Sequence, residues 1–152
     1  MRNGRFEGFT LVEMIATLII IALIAAVTAP LFSNVNVFKQ SGFYEETLSA
    51  IRYAQKHAVA TGCTVRVQTT TTGFTLYRPA SAAACTTGPF STPLADPSGN
   101  ATTFTRTAPS GVILSAADFN FTASGTASAS PSIDFGNGKI INVVGATGYV
   151  GR

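Results

Sequence analysis

Apolar and polar positions follow three different rhythms along this chain. From Phe9 to Ala29, 21 residues run almost without interruption as apolar side chains, and Glu13 is the only ionisable group among them. About 20 such residues suffice for a helix to cross the hydrocarbon core of a bilayer. The run therefore reads as a membrane anchor or as the apolar core of a removable secretory signal. Its length favours the anchor, as does the lack of a clear small-x-small cleavage site, "AAVTAP" offering only Ala-x-x-Ala. Arg2 and Arg5 precede the run and place the amino terminus in the cytoplasm by the positive-inside bias.

After Pro30, which would kink or end a helix, the rhythm becomes amphipathic. "FYEETLSAIRYAQKHAVATG" puts Tyr44, Leu48, Ile51 and Ala58 near helical spacing, with Glu45, Glu46, Arg52 and Lys56 largely off that stripe. Gly62 is the expected stop and Gly42 an expected soft point. A helix from Phe9 to about Ala60 would be roughly 78 Å long at 1.5 Å per residue. Beyond Gly62 the period falls to two. "CTVRVQTTTTGFTLYRP" predicts strands over Thr64–Thr69 and Phe74–Tyr77, joined by a Thr-rich turn ending in Gly73. "TFTRT", "GVILS" and "FNFTASG" are further strand candidates. "SIDFGNGKIINVV" predicts a hairpin with Asn137-Gly138 in a type I′ turn. Pro79 to Gly99 and Ser124 to Pro131 are small, polar segments expected to be loops. The expected class is α+β, one long helix followed by an antiparallel β-sheet head.

Composition adds mainly exclusions. His57 is the single imidazole and lies beside Lys56 on a helix, a packing or surface position rather than a catalytic base. Asp96, Asp118 and Asp134 are scattered, with neither metal-ligand nor paired-carboxylate spacing. Serine-rich loops without a base make no nucleophile. No enzyme, catalytic residue, metal site or cofactor is expected. The net charge of +3 is small and two of the basic residues precede the apolar run, so charge does not call for nucleic acid. Cys63 and Cys85 would be plain buried thiols in a cytosolic protein and bridged in an exported one. With the head across the membrane, a disulfide closing the loop between them is expected. Asn100-Ala-Thr102 and Asn120-Phe-Thr122 fit a glycosylation pattern, but in so Thr-rich a chain they are assigned no role.

"RFEGFTLVEMIATLIIIALIAAVTAP" resembles the class III signal and amino-terminal helix of type IV prepilins and type II secretion pseudopilins. Gly8, Phe9, Thr10, Leu11, Glu13 and Pro30 carry the match. The resemblance implies cleavage after Gly8 by prepilin peptidase, N-methylation of Phe9, a helix that continues with a bend at Pro30, and assembly into a filament. Cleavage would leave an α-amine at Phe9 one helical turn before Glu13, so the amine of one subunit could meet the Glu13 carboxylate of another and register the two. "TLSAIRYAQKHAVATGCTVRV" and "FNFTASGTAS…SIDF…INVVGATGYVGR" resemble the GspH/FimT group of pseudopilins and minor pilins. "FYEETLSAIRYAQKHAVATGC" is similar to minor pilins of mannose-sensitive haemagglutinin (MSHA) pili.

These resemblances imply a leader over 1–8 that is removed, a transmembrane or filament-core half-helix over 9–36, and a second half-helix plus β head over 37–152. The implied partners are other pilins or pseudopilins, prepilin peptidase, an inner-membrane assembly platform, and lipid before assembly. The head would be periplasmic at first and later displayed at or near the tip of a pilus or pseudopilus. Pilus and type II secretion pseudopilus both remain open at this point. Some FimT relatives bind DNA through a basic Gly-Arg-x-Arg tail. In "GYVGR", Tyr149 stands where the first Arg would be and only Arg152 of that motif remains. Arg66, Arg78 and Arg106 cannot be placed on one surface from sequence, and DNA is not an expected partner.

Overall fold

The computed structural model describes residues 9–28, 35–99 and 101–152. Within that range the chain is α+β, two helices and eight short antiparallel strands, and it divides into an amino-terminal unit and a head over Asn36–Arg152. Residues 1–8 and 29–34 lie outside the described range, and with them the expected leader, Gly8, the bend at Pro30 and the continuity of one long helix.

Helix α1, Leu11–Thr28, starts at a Thr cap. The Glu13 backbone N–H donates to Thr10 Oγ1 (3.2 Å) and the Met14 N–H to the Thr10 carbonyl (3.1 Å), satisfying donors that a helix start otherwise leaves open. The Thr17 hydroxyl donates to the Met14 carbonyl at 2.9 Å, so this polar group needs no solvent.

Helix α2, Val35–Thr61, is the spine of the head. Phe43, Tyr44, Thr47, Leu48, Ala50, Ile51, Ala54 and Ala58 are buried, which contains the expected stripe and widens it. The alanines at 50, 54 and 58 recur every fourth residue and are buried against the head. Gly62 takes φ +68, the left-handed conformation that ends a helix at little cost to glycine. Helix α2 runs unbroken through Gly42, with Gln40 and Phe43 beside it buried in the head.

The β-layer is two sheets rather than the single one expected. The first is ordered β3-β2-β1-β5, with β4 also on β2; the second is β6-β7-β8. Strands β1 (Val65–Thr70) and β2 (Gly73–Arg78) match the first predicted hairpin. β5 (Ala117–Phe121) pairs with β1 and covers only the start of "FNFTASG". β4 (Thr105–Thr107) lies inside "TFTRT". Val65, Val67, Phe74, Leu76, Phe119 and Phe121 form the inner face of this sheet. In the second sheet, β6 (Ser132–Asp134) and β7 (Ile140–Val144) form the Asn-Gly hairpin. Asn137 at φ 53 and Gly138 at φ 75, closed by Lys139 N–H to the Gly136 carbonyl at 3.1 Å, have the type I′ form. One helix serves both sheets. Phe43 packs on Phe74 (5.9 Å between ring centroids), while Tyr44 meets Phe135 edge-on at 5.3 Å.

Three local expectations are corrected. "GVILS" is not a strand: Val112 and Leu114 are buried and Ile113 exposed, but the segment forms no ladder, Ser115 N–H reaching the Asp134 carbonyl at 2.9 Å. Pro79 to Gly99 is not all loop. It contains a 3-10 turn at Ala82–Ala84 and strand β3 (Thr92–Pro93), which adds to the edge of β2. The carboxyl-terminal "GATGYVGR" is not a tail, since Tyr149–Gly151 is β8 and pairs with β7.

Candidate functional site

The described large apolar side chains of α1, and Phe9 just before it, point in every direction and stand exposed. Phe9, Leu11, Val12, Met14, Ile15, Leu18, Ile19, Ile20, Ile21, Leu23 and Ile24 are all at least half exposed. A helix that borders water on one side carries its apolar residues as a stripe; one apolar all round is covered all round. The described α1 rises about 27 Å over its 18 residues, against a hydrocarbon core of about 30 Å. Among the described residues no helix is long and apolar enough to cross a membrane.

Glu13 sits in the first turn of α1, where a negative charge is favoured by the helix dipole. Thr10 engages it through its main-chain N–H, so the cap does not consume the carboxylate.

In the head, Cys63 and Cys85 are joined by a disulfide with their Cα atoms 4.7 Å apart. The bridge ties the exit of α2 to the segment after β2, and the Thr64 N–H donates to the Cys85 carbonyl beside it at 2.8 Å. Closing a loop of this length stabilises by about 3 kcal/mol in the chain-entropy picture.

Of the three arginines that sequence could not place on one surface, Arg66 and Arg106 are held by carboxylates, whereas Arg78 lines a cleft that no acidic residue borders. Arg66 forks onto Asp118 across the β1–β5 pair. Arg106 reaches both Glu46 on α2 (2.7 Å) and Asp96 (2.6 Å). Arg152 reaches Glu45. Lys139 lies over the Tyr44 ring at 5.3 Å, and Arg52 donates from Nη2 to the Val150 carbonyl at 3.0 Å. The Asp96 side chain is only 1% exposed. Its pKa is lowered to about 2, first by the hydrogen bond from Arg106 and then by those from the Ser98 N–H and hydroxyl. The Asp118 carboxyl is likewise lowered, chiefly by Arg66. Two of the three scattered aspartates are thus ion-pair partners, while Asp134 accepts the Gly136 N–H at 2.7 Å. The role of Arg106 as a hub was hidden in the sequence, since Glu46 and Asp96 are 60 and 10 positions away.

His57 is half-buried against Tyr53, with ring centroids 5.8 Å apart. Its pKa is lowered by burial and then by Arg78. Among the described residues there is no group of three or more His, Cys, Asp or Glu able to hold a metal ion. No family model, curated protein or solved structure matches this chain.

Proposed function

We propose that this chain is a structural subunit of a type IV filament system, a minor pilin or pseudopilin of the GspH/FimT kind without catalytic activity. The observation that carries the proposal is the ordered set Gly8-Phe9-Thr10-Leu11-x-Glu13 leading into a helix whose described apolar side chains are exposed on all sides. Burying one large apolar side chain is worth about 1.5–3 kcal/mol. Ten of them on α1, with Phe9 just before it, demand a cover. In this reading lipid covers them first, with the head on the periplasmic side of the inner membrane, and the helices of neighbouring subunits cover them after assembly. The membrane-inserted segment would include Phe9, Thr10 and α1 and extend toward Pro30.

Prepilin peptidase would cut after Gly8, and the amine of Phe9 would be methylated. Extraction by an inner-membrane assembly platform would bring that amine to Glu13 of the adjacent subunit. An amine and a carboxylate that are costly to bury separately attract each other several times more strongly inside a helical bundle than in water. Glu13 would thereby set the axial offset between subunits. The head, closed by its disulfide and its ion pairs, would be displayed at or near the filament tip. The same chemistry serves an MSHA-like pilus and a type II secretion pseudopilus.

The test is fractionation of cells producing the full chain. Sheared surface filaments, or over-assembled pseudopili, should contain it together with other pilin-type subunits. Recovery only as a free soluble protein in the periplasm would contradict the proposal.

A further inference from the structure

Between the carboxyl-terminal end of α2 and the chain leaving β2 the head carries a cleft of about 240 Å³. Val65, Pro79 and Ala82 give it apolar walls, Cys63 of the disulfide borders it, and His57 and Arg78 bring the polar chemistry. Val65 and Pro79 are buried, whereas Arg78, Ser81 and Ala82 at the rim are exposed. No acidic side chain is among the residues that line it. We propose that this cleft binds a small organic carboxylate with a short aromatic or apolar body, its carboxylate on Arg78 and its body against Val65, Pro79 and Ala82.

Size, walls and charge each contribute to that choice. An apolar cavity of roughly 150 Å³ admits benzene. At about 240 Å³ this cleft has room for a ring and a carboxyl group. Binding sites of this kind combine apolar walls with a few polar groups that fix orientation. Arg78 supplies a full positive charge and a planar fork that matches a carboxylate. The end of α2, which closes with Thr61 and Gly62, opposes an anion with about half a negative charge. The guanidinium outweighs it, and Arg78 is near enough for its charge to be felt at His57.

His57 adds a second polar partner. Its Nδ1 is sealed from solvent and has no hydrogen-bond partner. Buried polar atoms without partners are few in folded proteins. With Nδ1 closed off, Nε2 is the imidazole atom left to exchange hydrogen bonds at the cleft. The neutral ring can offer Nε2–H to a carboxylate oxygen without adding charge. The Ser81 hydroxyl at the rim is a further donor. This site does not depend on the filament reading, because every residue of it lies in the head.

The chain has one histidine, so the imidazole resonances of the full-length protein in neutral detergent micelles belong to His57. Titration with benzoate should move them saturably. Benzyl alcohol, which keeps the ring and loses the charge, and inorganic phosphate, which keeps the charge and loses the ring, should each bind at least tenfold more weakly. Arg78→Gln changes an exposed residue and should weaken benzoate about tenfold while leaving the rest of the spectrum in place; Arg78→Lys should recover part of the loss. Absence of a saturable benzoate shift would overturn the proposal. So would equal binding of benzyl alcohol or phosphate, or an Arg78→Gln protein that binds benzoate as the parent does.

Discussion

Arg152 Nη2 donates to both carboxylate oxygens of Glu45, at 2.9 and 3.1 Å, and so joins the end of β8 to α2. Both side chains are more than half exposed, so the pair adds at most about 1 kcal/mol to stability. Its consequence is for charge. The terminal cation that a DNA-binding reading would need is already neutralised, as are Arg66 by Asp118 and Arg106 by Asp96 and Glu46.

Binding to duplex DNA should therefore be weak and should depend only shallowly on salt, because affinity and salt slope both scale with the number of phosphates neutralised. A fluorescence titration at two salt concentrations measures both quantities. Arg152→Ala should leave them unchanged. Micromolar or tighter binding at physiological salt, abolished by Arg152→Ala, would make DNA capture the leading function.

The Arg106 hub makes an acid-stability prediction. In the folded chain Asp96 has its pKa lowered from 3.8 to about 2. The unfolded chain consequently takes up the proton first as pH falls, and protonation favours unfolding. The stability that Asp96 contributes is whole above about pH 4 and is lost as pH falls through about 2; Asp118, lowered by Arg66, acts in the same direction. Arg106→Met should raise the midpoint of acid unfolding followed by circular dichroism, because it leaves the Asp96 carboxylate without its main partner. An unchanged midpoint would show that Arg106 does not hold Asp96 down in solution.

The disulfide should be intramolecular in the exported protein, which peptide mapping without reductant reads directly. Replacing Cys63 or Cys85 by Ser should destabilise the head by about 2–5 kcal/mol in urea unfolding. Free thiols, or a bridge between chains, would contradict the pairing.

What could be read in advance follows physical range. The α2 stripe, the β1–β2 hairpin and the Asn137-Gly138 turn are written in neighbouring residues, by period or by a dipeptide that strongly favours the type I′ turn. β8 was hidden because Gly148 and Gly151 break the alternation of "GYVGR", and its pairing to β7 is what makes it a strand. The absent side chain is required at Gly148, where a Cβ would run into the Gly125 carbonyl. "GVILS" misled in the other direction, its alternation recording burial of Val112 and Leu114 without a strand partner. The ion pairs and the cleft at His57 and Arg78 depend on which loops meet, and no local pattern encodes that.

Glu13→Ala should leave membrane insertion intact or slightly improved, since it removes a charge costing roughly 2.5–3.5 kcal/mol at the centre of a bilayer and less near its surface. Incorporation into filaments should fall, because the Phe9 amine of the neighbouring subunit loses its partner. Quantifying the variant in sheared filaments against the membrane pool separates the two effects. Parent-level incorporation would remove the registry role from Glu13.

The central claim is that this chain is processed and assembled as a prepilin, and intact-mass analysis of the protein purified from membranes or filaments tests it most directly. The account predicts a chain that lacks residues 1–8 and begins at an N-methylated Phe9. A mass that retains Met1 to Gly8 in assembled material, or a mature protein beginning after Ala29, would contradict it.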